Sequence, residues 1–308
     1  MKKIGFLSFG HWSSSPGSLT RSASEALLQS IDLAVAAEEL GADGAYFRVH
    51  HFARQLGSPF PLLAAIGART SRIEIGTAVI DMRYENPLYL AEEAAAADLI
   101  SGGRLQLGVS RGSPETVLRG AESFGYRPAD GESDADAARR KTEIFLAAIG
   151  GAAVARTDPA RTGVSGGLAI QPQSPGLADR IWWGSGTRAT AQWAARAGMN
   201  LQSSTLLSED TGVPFDQLQA EQIRLYREAW AERGWPREPR VSVSRSVLPI
   251  TEDIDRMYFG DQEHEDQIGL LEGVRSRFGR TYVGEPDAVA AELAADEEIG
   301  RASCRERV

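Results

Sequence analysis

The feature that most constrains this 308-residue chain is a repeated alternation of short β-like runs with long amphipathic ones. Strands that alternate with helices in this way pair in parallel through helical crossovers, so the pattern predicts an α/β protein built on a parallel sheet. "KIGFLSF" reads as the first strand. Ser22 to Leu40 follows, with Leu27, Leu28, Ile31, Val35 and Leu40 spaced to lay one apolar face along a helix. Gly41 stands at its stop, where a left-handed residue closes a helix. "GAYFRV", "RIEIGTAVI", "RLQLGVS", "RIWWG", "MNLQSS" and "RVSVSRSVLPI" read as six further strands. Helices are predicted over 61–69, 87–100, 137–149, 187–197, 214–233 and 286–295, with Pro87 suited to a first helical position.

Seven such β units and a last isolated helix come one strand short of a (β/α)8 TIM barrel, which runs to about 250 residues or more. The tail "EIGRASCRERV" is what the codons of a common sequencing-library adapter encode. The expectation is therefore one barrel domain over 1–297, truncated before its last strand, with 298–308 a non-native read-through. Insertions are expected at about 150–176, carrying one short strand at "GLAIQP", and at about 251–280. The single cysteine, Cys304, lies in that tail, so no disulfide framework or cysteine-based metal site is expected.

A formal charge of −9 argues against a general attraction to nucleic acid or anionic lipid. No apolar run approaches the roughly 18 residues of a membrane helix. "MKKIGFLSFG" meets Gly10, His11 and Trp12 without a small-residue cleavage pattern, so it reads as a core strand rather than a leader. The expected location is the cytoplasm.

Barrel enzymes carry their chemistry at the C-terminal ends of the strands. Here those ends offer histidine, arginine, hydroxyl and glycine: His11; His50 and His51; Ser110 and Arg111; Ser185, Gly186 and Thr187. Carboxylates are scarce there, which argues against a hydrolase built on paired acids or a magnesium site. "GSGT" before a helix suits a phosphate, with hydroxyls at Thr187 and Thr190, and equally suits an ordinary turn and cap. Arg111 suits a phosphate fork or a surface ion pair. The adjacent histidines suit acid–base work, a metal or plain packing. A metal would need a third ligand, for which His11 is the near candidate, and none is expected.

The stretch "FRVHHFARQLGSPFPLLAAIGARTSRIEIGTAVIDMRYENPLYLAEEAAAADLISGGRLQLGVSRG" resembles the luciferase-like family of flavin-dependent monooxygenases. "GSGTRATAQWAARAG" and "YVGEPDAVAAEL" add two further matching blocks. The resemblance implies a luciferase-like barrel that holds a reduced flavin, FMN or the deazaflavin F420, at its mouth. In the FMN branch oxygen adds to the flavin, and the resulting hydroperoxide attacks a small organic substrate. By position, His50 matches the family's acid–base histidine and His51 its orienting neighbour. Ser110 matches a small residue or cysteine beside the flavin, and Arg111 the arginine that reaches the flavin phosphate. Ser185, Gly186, Thr187 and Thr190 match the phosphate site, with Gly186 standing in for a family glutamate. Ala78 and Val79 match a pair joined in several relatives by a non-proline cis peptide behind the flavin. Val49 departs from the pattern, since relatives often carry a glutamate before the histidines. The resemblance further implies a flavin reductase as supplier and a homodimer formed through the helices "PLLAAIGA" and "LAEEAAAA". An F420-dependent dehydrogenase or reductase and a non-catalytic flavin-binding relative are the alternatives.

Overall fold

The computed structural model describes residues 2–16, 18–112, 117–209, 212–259, 267–271 and 274–296. Two compact units are present, one of residues 3–182 and one of residues 183–308 with residues 1–2.

The first unit repeats strand and helix as the alternation predicts: β1 (Gly5–Ser8), α1 (Ala23–Glu39), β2 (Gly44–Phe47), α2 (Phe60–Arg69), β3 (Glu74–Asp81), α3 (Pro87–Ile100) and β4 (Leu105–Ser110). The four strands lie side by side in sequence order. Their pairing is parallel, with Ala45 opposite Ile75 and Ile75 opposite Leu105. Each helix start has a local cause. Ser22 and Glu25 form a capping box on α1, and the Asn86 side chain caps α3 ahead of Pro87.

The sheet has two unlike faces. A methyl group on Gly67 of α2 would meet Ile75 Cδ1 at 3.4 Å and Ser101 Cβ at 2.9 Å, so Ile75 faces the helices and glycine permits their close approach. Strand alternation puts Ala45, Phe47, Leu105 and Leu107 on that same face, all fully or nearly fully buried. Tyr46, Gly76 and Gln106 fall on the opposite face. The apolar and small residues of α2 and α3 serve packing within the chain: Leu63, Ile66, Gly67, Ala91, Ala94, Ala95 and Ala97 are buried.

The N-terminal ends of these strands are closed by saturated polar clamps. Arg104 donates to the carbonyls of Gly67, Thr70, Ile73 and Ser101 and to the Thr70 hydroxyl. Glu38 accepts the N–H groups of Ser71, Arg72 and Ile73 at 3.0, 2.6 and 2.7 Å. Burial alone would raise the Glu38 carboxyl, but those donors hold it down to about 2. That end reads as stability.

The rest of the unit is α4 (Gly120–Ser123), α5 (Asp134–Ile149), β5 (Ala155–Arg156), α6 (Pro159–Thr162) and β6 (Gly167–Leu168). β5 and β6 form an antiparallel pair inside the expected first insertion.

β7 (Ile181–Ser185) spans the boundary between the units. The second unit continues with α7 (Arg188–Arg196), β8 (Asn200–Ser203), β9 (Leu206–Leu207), α8 (Phe215–Arg233), β10 (Val241–Val243), β11 (Ser246–Pro249), α9 (Asp253–Phe259), β12 (Gln267–Leu271), β13 (Val274–Phe278), β14 (Thr281–Gly284) and α10 (Pro286–Ala295). β7, β8 and β10 are neighbours in that order. Their core is Ala191, Ala195, Leu201, Ile223, Tyr226, Trp230 and Val241.

Three readings need correction here. The single strand expected over "RVSVSRSVLPI" is two: Val241–Val243 pairs with β8, and Ser246–Pro249 pairs with β14. β14 itself was not expected, because four residues between a charged stretch and a helix carry too little alternation to register. The second insertion, for which no helix or strand was expected, contains a helix and the antiparallel pair β12–β13. Arg275 and Arg277 alternate there with Val274, Ser276 and Phe278, a period of two that the charge content masks. The region 298–308 lies outside the described residues. Among the described residues no helix is long and apolar enough to cross a membrane.

Candidate functional site

In the first unit the C-terminal ends of β2, β3 and β4 bring six of the singled-out residues to one edge of the sheet. After β2, the Arg48 N–H donates to Ser8 O at 2.9 Å and carries the β1–β2 ladder one residue further. The His50 N–H then donates to Leu56 O at 2.9 Å, closing a turn in which Phe52 takes a positive φ of 56°. Val49 and Leu56, 6% and 8% exposed, anchor that turn in the core. Both histidines are half-buried. His51 stacks on Tyr84 with ring centroids 4.3 Å apart and an interplanar angle of 26°. Phe124 meets the same imidazole edge-on at 5.0 Å.

β3 carries the cis peptide Ala78–Val79. Its pairing with β4 slips at this point: Thr77 faces Leu107 and Ile80 faces Val109, so three steps on one strand match two on the other. At this slip the buried Thr77 side chain engages both backbone groups of Gly108. The Thr77 hydroxyl donates to Gly108 O at 2.7 Å and accepts the Gly108 N–H at 3.1 Å. A bulge of this kind re-aims the strand end that follows it.

Ser110 ends β4, buried, its oxygen accepting the Gly112 N–H at 2.8 Å. Gly112 has φ +94°, and a Cβ there would fall 1.9 Å from the Asp81 carboxylate, so no other residue fits. Asp81 in turn accepts from Arg83 N, Nε and Nη2 at 2.9, 3.0 and 2.7 Å. Arg111 projects between these fixed points with its side chain exposed.

The next layer holds buried Lys141 and half-buried Glu85, each within the electrostatic reach of the other. Lys141 donates to Arg83 O at 2.6 Å and lies 3.8 Å from the Tyr126 ring centroid. Burial, reinforced by Glu93 and Asp81, pushes the Glu85 carboxyl up to about 7. Burial also lowers Lys141 to about 8 against the pull of Glu85.

In the second unit Ser185, Gly186, Thr187 and Thr190 share the turn from β7 into α7. Thr187 caps the helix by accepting the Thr190 N–H at 3.2 Å. The hydroxyls of Thr187 and Thr190 lie 2.9 Å apart, and Ser185 Oγ lies 2.5 Å from Thr190 Oγ1. Fully buried Gln222 donates to the carbonyls of Ser185 and Thr187 at 3.3 and 3.2 Å. The Glu209 carboxylate accepts the Arg188 N–H at 3.0 Å. A carboxylate of the chain itself thus sits on the positive end of α7, where an anionic ligand would be drawn.

Sequence reasoning missed Thr77, Asp81, Tyr84, Phe124 and Glu209. The Asp81 signal was present as "GVSRG" following "AVID", since a fixed glycine implies something pressed against it. Thr77 and Glu209 left none, because their partners are backbone groups that only the fold brings near.

A sequence model of the family described as luciferase-like monooxygenase matches residues 6–257. Among curated proteins, 4-hydroxyprotoasukamycin monooxygenase of Streptomyces nodosus subsp. asukaensis is 31% identical over 126 residues, 40% of this chain and 33% of that one. The F420-dependent glucose-6-phosphate dehydrogenase of Nocardia farcinica is 41% identical over 88 residues, 27% of this chain and 26% of that one. Among solved structures, the oxygenating constituent of 3,6-diketocamphane monooxygenase from Pseudomonas putida, a type II Baeyer-Villiger monooxygenase in complex with FMN, aligns with a TM-score of 0.66 at 17% identity. That alignment covers 96% of this chain and 88% of that one and shows a shared fold. Against the curated relatives the matched stretches span from 25% to 56% of the relatives' own lengths.

Proposed function

Since this chain belongs to the luciferase-like monooxygenase family, we propose that it is a flavin-dependent monooxygenase acting with reduced FMN and O2 on a small organic substrate. The observation that carries the reading is the convergence of His50, the cis pair Ala78–Val79, Ser110 and Arg111 at the C-terminal ends of three adjacent parallel strands. That donor set fits a flavin: a ring system flanked by small residues, an imidazole for a proton, and a guanidinium for an anionic end.

When bound, the reduced flavin supplies electrons and activates oxygen. His50, in a turn fixed at both ends by buried residues, would hold or pass a proton at its imidazole, an effect worth roughly 10²–10⁴ in rate. His51 keeps its neighbour in place through its stack on Tyr84. Ser110 and Gly112 hold the backbone that presents Arg111. The hydroxyl-rich start of α7 suits a phosphate, provided Glu209 yields its place.

A separate reductase would supply the reduced flavin, as the description of the camphane enzyme's oxygenating constituent suggests. That supply favours a cytoplasmic location. The chain would act as a homodimer, for which gel filtration at twice the monomer mass is the expected result. The F420-dependent reading is kept alive by the likeness to the Nocardia dehydrogenase.

Anaerobic titration of the purified chain with reduced FMN and with F420, followed by mixing with oxygen, tests the proposal. Micromolar affinity for FMN, and an oxygen-dependent flavin turnover that His50→Ala slows at least about a hundredfold, is expected. Binding of F420 alone would transfer the protein to the hydride-transfer branch. An unchanged rate in His50→Ala would leave it a flavin carrier.

A further inference from the structure

A relay of buried amide and hydroxyl groups runs from α8 through the end of β8 to the turn between β7 and α7. Gln219 donates through Nε2 to Ser203 Oγ and to Ser204 O, both at 3.0 Å. The Ser203 hydroxyl donates on to Gln222 Oε1 at 2.6 Å. Gln222 Nε2 then donates to Ser185 O at 3.3 Å and to Thr187 O at 3.2 Å. Ser185, Ser203, Gln219 and Gln222 are all fully or nearly fully buried. The order of donors is fixed by chemistry. Carbonyl oxygens can only accept, so the Gln222 nitrogen faces the turn and its oxygen faces Ser203.

Those two bonds orient peptide planes. A trans peptide is planar, with its C=O and N–H pointing in opposite directions. The Ser185–Gly186 and Thr187–Arg188 units are both trans. Drawing the carbonyls of Ser185 and Thr187 onto one amide nitrogen therefore turns the N–H groups of Gly186 and Arg188 away from the buried relay. Thr187 O also accepts the Ser185 hydroxyl at 2.8 Å and the Ala191 N–H at 3.2 Å, so the turn is held as one piece. One of the outward donors already meets an anion of the chain: the Arg188 N–H lies 3.0 Å from the Glu209 carboxylate.

We propose that Gln222 is a positioning residue that aims the backbone donors of this turn at an anionic group of the ligand. This rests on the reading of the turn as the place of the flavin's phosphate, and it assigns the shape of that place to a side chain from α8. A donor aimed before the ligand arrives costs no reorganisation on binding, so losing the aim costs affinity for the anion and not for the rest of the ligand.

The test titrates the full chain with FMN, with riboflavin, which lacks the phosphate, and with inorganic phosphate. Wild-type protein should bind FMN at least about tenfold more tightly than riboflavin. Gln222→Met keeps the length of the side chain and removes the amide. It should lose at least about tenfold in FMN affinity and less than about twofold for riboflavin. Ser203→Ala, which leaves the amide but frees its oxygen, should lose FMN affinity by a smaller factor, and the double variant should lose no more than Gln222→Met alone. Tyr226→Phe is the control: it removes a buried bond from the same helix, the hydroxyl on Met199 O at 2.9 Å, without touching the turn. Its FMN-to-riboflavin ratio should stay at the wild-type value.

Melting curves establish which variants are folded, and if Gln222→Met is not, an unchanged flavin ratio in Ser203→Ala overturns the proposal. So does a preference for FMN that survives in Gln222→Met, a loss shared equally by both flavins, or an equal fall of the ratio in Tyr226→Phe. A wild type that binds both flavins alike and no phosphate overturns it as well. If the wild type binds inorganic phosphate, Gln222→Met does not, and neither flavin binds, the flavin reading falls and this one stands. If FMN binds and its ratio to riboflavin is untouched in Gln222→Met, the flavin reading stands and this one falls.

Discussion

The imidazole of His51 lies face to face with the ring of Tyr84, centroids 4.3 Å apart, with Phe124 closing its edge. The contact joins the loop after β2 to the loop after β3. It makes His51 a packing element that braces the turn carrying His50.

Replacing the stack by another ring should be tolerated and removing it should not. His51→Phe is expected to stay within about 1 kcal/mol of wild type, whereas His51→Ala should lose about 1–3 kcal/mol. Chemical denaturation of both variants measures the difference. A His51→Phe enzyme that keeps its fold but loses turnover as completely as His50→Ala would assign proton chemistry to the second histidine as well.

At the bulge in β3, Thr77 engages both backbone groups of Gly108 from a fully buried position. Thr77→Val preserves shape but strands those groups away from water. The expected cost is about 2–4 kcal/mol, and Thr77→Ser should recover most of it. Equal stability of the valine and serine variants in urea would show that the hydroxyl is idle.

Glu209 occupies the positive end of α7 with a carboxylate. Removing that charge should strengthen the binding of FMN by about two- to tenfold and leave riboflavin, which lacks the phosphate, unchanged. Fluorescence titrations of Glu209→Gln with both flavins read this directly. An equal gain for riboflavin would mean that the variant alters something other than anion binding.

Glu85 has a folded-state value of about 7, above the 4.5 of an ordinary carboxyl. The folded state therefore binds the proton more tightly, and stability is lost as pH rises from about 4.5 through about 7. Above that range the ionised group burdens the fold. Glu85→Gln should be more stable than wild type by about 1–3 kcal/mol at pH 8 and indistinguishable from it at pH 5. Melting curves at the two pH values decide the matter; a variant equally destabilised at both would show that the carboxyl is engaged rather than strained.

Much of this molecule is written locally. The start of α3 at Pro87 and the caps at Ser22 and Asn86 follow from side chains acting within a few residues of themselves, and the strand–helix alternation that calls for parallel pairing is equally short-range. The same holds for the histidine pair at the end of β2 and for the position of Ala78–Val79, whose bond is cis as the family resemblance leads one to expect. Periodicity and turn chemistry are short-range, so a linear reading reaches them. What the linear reading could not reach were relationships whose two halves lie far apart in the chain. Thr77 and Gly108, His51 and Tyr84, and Glu209 and the first N–H of α7 are joined only once strands have paired and loops have closed.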